Sequence, residues 1–244
     1  MELEQKIALV TGGAVRVGRA ISKELAKSGA LVCCHYHSSE KEAQRLEKEI
    51  GEYGGKIDLF RADLSKVASV KNLVQAIIQK YGQIDILINN AALFLKTPFG
   101  SVNEDQWDTL LNLNLKATFF LSQEVSRFML KEQSGKIINI ADSGALKPFP
   151  SYLPYSISKA GVVALTTGLA KALAPHIQVN CINPGPVLFP QEFADKEKEF
   201  AVNQTLLKRA GSAEDVARTV RFLIEGSDYI TGACIPVDGG RSAR

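Results

Sequence analysis

The stretch "KIALVTGGAVRVGRAISKELAKSGALVCCHY", residues 6–36, decides the fold. Ile7 to Val10 form a short apolar run with no polar face, as a strand must when helices cover both sides of its sheet. A glycine turn follows, and then "VGRAISKELAKSG" carries apolar residues at helical spacing with Gly29 as a C-terminal stop. A second apolar run begins at Ala30. Strand, glycine turn, helix and strand in this order make a βαβ unit, which requires a parallel sheet.

The same alternation continues through the chain. Strands are predicted at 6–12, 30–36, 56–63, 84–91, 135–141, 177–184 and 232–238, with helical patterns between them. Six or seven repeats of strand and helix mean a doubly wound, Rossmann-like α/β fold with a parallel sheet. Neither linker nor internal repeat interrupts the pattern, so residues 1–244 are expected to form one domain.

Composition narrows the class. Hydrophobic residues make up 45% and charged residues 23%, a globular balance that excludes disordered and collagenous chains. The 29 Lys and Arg outnumber the 26 Asp and Glu by only three and are spread along the chain, which argues against a nucleic-acid surface. The N-terminus runs from charged residues directly into a strand, and no apolar run approaches the ~20 residues that span a bilayer. A cytoplasmic protein without membrane partners is expected. Cys33, Cys34, Cys181 and Cys234 lie inside apolar runs without C-x-x-C spacing, and read as small buried hydrophobes rather than metal ligands.

Four stretches carry chemistry. In "VTGGAVRVGRAIS", residues 10–22, glycines let the backbone approach a pyrophosphate while the helix behind offers free N–H groups and a favourable dipole. Arg16 stands where such loops often place another glycine, and adds a cation. The second strand ends in His35, Tyr36, His37, Ser38 and Ser39, with no carboxylate before Glu40. A dinucleotide site for NAD wants an acid there for the ribose hydroxyls; hydroxyls and imidazoles instead donate to a 2′-phosphate, which favours NADP. Ser39 followed by glutamates also reads as the N-cap of the next helix. Asp63 is placed to bond an adenine amino group, and Asn89 and Asn90 to hold backbone together beside a ligand. Finally, Tyr155 and Lys159 are four apart on one helical face, where a cation would lower the phenol from its reference of about 10.

These features resemble the short-chain dehydrogenase/reductase family over nearly the whole chain. The shared segments are "TGGAVRVG", "DL" at 63–64, "NNAA" at 89–92, Asn114, "YSISK" at 155–159, "INPGPV" at 182–187, "LLKRAGSAEDVA" at 206–217 and "YITGACIPVDGG" at 229–240. The resemblance implies a seven-stranded subunit, a homotetramer, and hydride transfer to a small molecule. Tyr155 would relay a proton, Lys159 would bind the nicotinamide ribose and tune Tyr155, and Asn114 would hold a water. It also implies an NADPH site built from Gly12, Arg16, Val17, Gly18, His35, His37, Ser38, Ser39, Asp63, Leu64, Asn90, Ala91, Tyr155, Lys159, Pro184 and Gly185.

One position departs from the family. Thirteen residues before the catalytic tyrosine most members place a serine that binds the substrate carbonyl, and this chain places Asp142. An ionised carboxylate only accepts hydrogen bonds and repels a developing alkoxide. It suits a substrate with N–H donors, or one needing a proton at a ring nitrogen. A subgroup with this departure, the pteridine reductases and bacterial dihydromonapterin and dihydrofolate reductases, is similar elsewhere: Arg16 in the turn, "HYHSS" at the second strand's end, Phe94 as the ring that stacks the pterin, and the close at "VDGGRSAR". Ala92 and Ser38 depart from that subgroup, which often has a serine at the first position and, in protozoal members, an arginine at the second. The resemblance implies a substrate site of Arg16, Phe94, Asp142 and Tyr155. Residues 188–205, polar and charged, are expected to form a mobile helical substrate lid. A carbonyl reductase acting on 3-oxoacyl carrier protein is the rival reading, and an NADP-binding redox sensor without turnover is a third that the intact Tyr155, Lys159 and Asn114 oppose.

Overall fold

The computed structural model describes residues 1–190 and 193–243. In chain order the elements are β1 (Ile7–Val10), α1 (Arg16–Lys27), β2 (Leu31–Tyr36), α2 (Glu40–Glu52), β3 (Lys56–Arg61), α3 (Val67–Tyr81), β4 (Ile86–Asn89), α4 (Glu104–Leu111), α5 (Ala117–Lys131), β5 (Gly135–Ile140), α6 (Leu153–Leu173), β6 (Ile177–Pro184), α7 (Asp195–Asn203), α8 (Ala213–Glu225) and β7 (Cys234–Val237). A single π-helical turn, Asn112–Lys116, joins α4 to α5. All seven expected strands form. Several end early because the chain leaves the ladder at the crevice: after β4, the N–H groups of Asn90 and Ala91 bond the Thr11 hydroxyl at 2.9 and 3.0 Å.

The sheet is parallel throughout, in the order β3-β2-β1-β4-β5-β6-β7. The chain builds outward from β1 to β3, then returns to lay β4 against the other side of β1. Connections on either side of this reversal run over opposite faces, so a crevice opens at the C-terminal ends of β1 and β4.

Strand pleating divides the core into two layers. Ala8 and Val10 of β1 pack under Ile21 and Leu25 of α1, Leu46 and Ile50 of α2, and Val216 and Val220 of α8. Ile7 and Leu9 face the other way, against Val70 and Ile77 of α3, Val125 and Met129 of α5, and Leu173 of α6. Cys33 and Cys34 fall one in each layer, both buried. Burial pushes the Cys34 thiol up to about 12, as expected of an inert small hydrophobe. Cys181 is also buried, whereas Cys234 on the edge strand is partly exposed. Among the described residues no helix is long and apolar enough to cross a membrane.

The first turn is held by close approach. Gly12 has φ of 59°, and a Cβ on Gly18 would lie 2.1 Å from the Gly12 carbonyl oxygen and 2.5 Å from the Asn90 amide. No side chain fits there. Gly168, by contrast, lies on α6 with open space around it. Gly168→Ala is expected to raise unfolding stability by about 0.5–1 kcal/mol, the ordinary helix-interior gain. Gly18→Ala is expected to destabilise the fold and abolish dinucleotide binding; chemical denaturation and NADPH fluorescence titration of the two variants check this.

Candidate active site

The crevice is a cavity of about 1600 Å³. Its floor at one end is the β1–α1 turn. Asn90 Nδ2 donates to the carbonyl oxygens of Thr11 (2.8 Å) and Gly12 (3.2 Å), pinning the turn to the end of β4. Val15, the N-cap of α1, makes no side-chain cap bond, so the first-turn N–H groups of α1 have no side-chain cap. A glycine turn with no room for a Cβ, backed by an uncapped helix N-terminus, fits a dinucleotide pyrophosphate. Gly12, Val17, Gly18, Asp63, Leu64, Ala91, Pro184 and Gly185 line this half of the cavity, together with His37, Ser38 and Ser39 at the end of β2. Ser39 occupies the N-cap of α2 but its hydroxyl makes no capping bond. The Asp63 carboxylate accepts from the Ser65 N–H (3.1 Å) and hydroxyl (2.6 Å), and these bonds hold it below the usual carboxylate range.

Four expectations need correction. His35 lines the cavity, but its ring does not serve as a phosphate donor. Nδ1 accepts from the Gly12 N–H at 3.1 Å and Nε2 lies 3.1 Å from the Ala62 carbonyl, which requires the neutral tautomer with the proton on Nε2. Burial pulls this imidazole down to about 4, so it stays uncharged and supports the turn from below. Asn114 is outside the cavity wall. Its side-chain oxygen accepts from the Leu93 N–H (2.8 Å), and its amide donates to the Leu93 carbonyl (3.0 Å) and the Ser158 hydroxyl (3.1 Å). The side chain therefore ties the strand β4 exit to α6, and its amide donors are not spare for a water. Asn89 likewise turns away from the ligand side, donating to Ser122 (3.1 Å) and Asn139 (2.8 Å) between β4, β5 and α5.

The fourth correction concerns Tyr155. Its hydroxyl donates to Asp142 Oδ2 at 2.9 Å, and the phenol is raised well above its ordinary value by burial, reinforced by the Asp142 charge. Lys159 does not offset this. Its ammonium donates to the Ile140 carbonyl at 2.8 Å and lies 5.8 Å from the Tyr155 ring centre, and burial pulls it down to about 8. Asp142 itself accepts from the Gly144 N–H at 2.5 Å as the N-cap of a short 3₁₀ turn. Burial raises its carboxyl, against the opposing pull of the Gly144 and Tyr155 hydrogen bonds and the Lys159 charge. Asp142 and Tyr155 thus form a buried pair in which protonation of either is favoured and neither ionises freely.

The other end of the cavity is aromatic. Phe94 stacks on Tyr152 with ring centres 4.3 Å apart and packs edge-on against Tyr155 at 4.7 Å. Phe193 stands 6.4 Å from Phe94, and Phe149 6.4 Å from Tyr152. Sequence reading picked out Phe94 but missed Tyr152, Phe149 and Phe193, which no spacing rule separates from core aromatics. Arg16 has φ of 52° and donates to the carbonyl oxygens of Leu188 (2.9 Å) and Phe189 (3.4 Å), clasping the first turn to the start of the 188–205 segment. Within that segment α7 is helical, as expected; Gln191 and Glu192 lie outside the described residues.

The short chain dehydrogenase family model matches residues 6–199. The chain belongs to the short-chain dehydrogenases, oxidoreductases that use NAD(P)H. Among curated relatives, 3-oxoacyl-[acyl-carrier-protein] reductase of Thermotoga maritima is 35% identical, covering 98% of this chain and 99% of that protein. Among solved structures, the FolM alternative dihydrofolate reductase 1 from Brucella canis complexed with NADP is 34% identical with a TM-score of 0.92, covering 100% of this chain and 96% of that one. A short-chain dehydrogenase/reductase from Serratia marcescens is 33% identical with a TM-score of 0.93, covering 99% of this chain and all of the other.

The raised Asp142 carboxyl has a consequence for stability. Because its folded value lies above the unfolded value of about 3.9, its favourable contribution is complete below pH ~4 and is lost as pH rises through the folded value. Above pH ~4 the raised carboxyl costs stability that an amide does not. Asp142→Asn is therefore expected to melt at a higher temperature than the wild type at pH 7, with the gap closing toward pH 4, as followed by thermal denaturation across that range.

Proposed function

We propose that this chain is an NADPH-dependent reductase of dihydropteridines. The observation that carries this reading is the 2.9 Å hydrogen bond between Tyr155 and Asp142, at the position where an alkoxide-forming substrate would meet an acid. A carboxyl raised by burial and bonded to a phenol is built to deliver a proton to a ring nitrogen. The cavity's aromatic end, around Phe94, matches a flat heteroaromatic substrate. The FolM structure, a dihydrofolate reductase by its description and bound to NADP, supports the same reading.

The dinucleotide, when bound, supplies the hydride that reduces a C=N carbon of the pterin. This chain's own residues do the rest. The Gly12 turn, the α1 N-terminus, and Pro184 and Gly185 hold the cofactor in the reading we favour. His37, Ser38 and Ser39 line the end of β2 without an acid that would repel a 2′-phosphate, which supports NADPH over NADH. Asp142 protonates the nitrogen adjacent to the reduced carbon and regains its proton from solvent water, while the Tyr155 hydroxyl donates a hydrogen bond that positions it. Lys159, charged below pH ~8, keeps a positive charge beneath the pair. Asn114 acts by positioning, since its bonds to Leu93 and Ser158 align the β4 exit with the helix that bears Tyr155 and Lys159.

The 35% identity to 3-oxoacyl-[acyl-carrier-protein] reductase favours a second reading, reduction of a 3-oxoacyl thioester. Parallel NADPH-oxidation assays separate the two. Turnover of dihydrobiopterin or dihydrofolate, with acetoacetyl thioesters left unreduced, is expected. Asp142→Ser should lower pterin turnover by at least about 10²-fold, the lower range for removing a positioned acid, while NADPH affinity stays within a few-fold. Wild-type pterin turnover in that variant would remove Asp142 from the mechanism.

A further inference from the structure

Two of the four cysteines stand side by side at the edge of the sheet. Cys181 and Cys234 are direct partners in the parallel ladder of β6 and β7, and their side chains meet in a small apolar cluster with Ala141 and Val162. Partners in neighbouring strands lie about 4.8 Å apart, within the Cα span that a disulfide bridges. Cys181 is sealed inside, while Cys234 on the edge strand is partly exposed. Cys33 and Cys34 differ in this respect: both are buried, and their ladder partners are Leu9 and Val10 on one side and Asp58 and Leu59 on the other.

The two thiols are unequal. The Cys181 S–H is within reach of the Cys234 sulfur and of Asn183 Oδ1 (3.4 Å). A hydrogen bond from Cys181 holds the Cys234 thiol below the usual range against the opposing effect of burial, and the same bond keeps the Cys181 proton in place. An accessible thiolate beside a protonated second thiol is the arrangement that reacts with a hydroperoxide and then closes a bridge. The pair also sits close to the cofactor half of the cavity. In the same ladder Asn183 faces Pro236 and Pro184 faces Val237, and the Gly185 N–H donates to the Val237 carbonyl at 3.0 Å. A Cβ on Gly185 would come within 2.7 Å of the Asp238 Cα, so the two strand ends have little slack. A change in strand spacing at Cys181 therefore reaches Pro184 and Gly185, which line the cavity.

We propose that Cys181 and Cys234 form an oxidation site at which a hydroperoxide closes a reversible disulfide, and that this bond weakens NADPH binding by displacing Pro184 and Gly185. The Cys234 thiolate attacks the peroxide oxygen, the O–O bond breaks, and the departing alkoxide or hydroxide takes up the proton that the thiol gave up. Cys181 then attacks the sulfur of the Cys234 sulfenic acid; the S–S bond forms, and the expelled hydroxide leaves as water with the Cys181 proton. The two thiols lose two electrons in all, and one hydroperoxide gains them to become an alcohol, or water, and a further water. The effect on the cofactor rests on the NADPH reading above, whereas bond formation does not.

The test treats the whole protein with hydrogen peroxide, removes the excess with catalase and counts thiols after denaturation. The count is expected to fall from four to two, with the Cys181 and Cys234 peptides joined in a proteolytic digest, and dithiothreitol should restore it. NADPH fluorescence titration should show Kd raised about tenfold in the oxidised protein, the equivalent of one hydrogen bond lost, and returned by dithiothreitol. Cys234→Ser is expected to bind NADPH as the reduced wild type does, before and after peroxide, and Cys181→Ala to hold a sulfenic acid on Cys234 that dimedone traps. Four thiols surviving peroxide, or a bridge that joins Cys234 of two copies, overturns the inference. A bridge between Cys181 and Cys234 that leaves NADPH affinity unchanged overturns the coupling to the cofactor. Reduced protein that binds no NADPH overturns the cofactor reading and the coupling with it, while the thiol count still decides the bridge.

Discussion

The packing of Gly18 against the Gly12 carbonyl, locked by Asn90, is the contact on which the rest of the site depends. It can exist only where β1 and β4 lie side by side, because the Asn90 amide reaches from the end of one strand to two carbonyls of the turn after the other. His35 closes the turn from below by accepting the Gly12 N–H. Sheet reversal, glycine turn and helix N-terminus are in this sense one structure, and the cavity is its outer surface. Any side chain at Gly18 would push against backbone rather than a movable neighbour, so the constraint has no easy relief.

The chemistry sits on a second constraint, at the end of β5. Asp142 leaves the strand in extended conformation and caps the short turn that follows, which leaves one carboxylate oxygen for Tyr155. Burial alone would make an unpaired acid costly there, and the Gly144 N–H and Tyr155 hydroxyl keep the carboxylate tolerable without making it comfortable. Such a balance holds the carboxyl above its ordinary range at a cost in stability. Lys159 takes part at one remove, bonded to the backbone of β5 rather than to the phenol.

Much of this was legible in order along the chain. Seven strands, the glycine turn, the absence of an acid after β2 and the Tyr155–Lys159 spacing are local facts, decided by side-chain periodicity and by what a turn or a ligand tolerates. The misreadings share one cause. His35 reads as a phosphate donor, Asn89 as a clamp on backbone and Asn114 as a holder of water because they stand at strand ends or in a motif, yet each spends its polar atoms on neighbours distant in sequence: Gly12 and Ala62, Ser122 and Asn139, Leu93 and Ser158. Whether a polar side chain at such a place faces ligand or protein depends on which partners the packing brings within 3 Å, and nothing along the chain reports that distance.

The sequence by itself determined the class of fold, the family, and the pairing of an acid with a tyrosine thirteen residues on, because each follows from periodicity, turn chemistry or residue identity. The tertiary structure decided the state of that pair and the shape of the far end of the cavity. The phenol is raised rather than lowered because it is buried, with Asp142 at hydrogen-bond distance while Lys159 is held by Ile140. Phe94, Tyr152, Phe149 and Arg241 come from three separate segments and meet only when β7's turn closes over the exit of β5. Electrostatics and stacking act through distance in space, and the fold alone sets that distance.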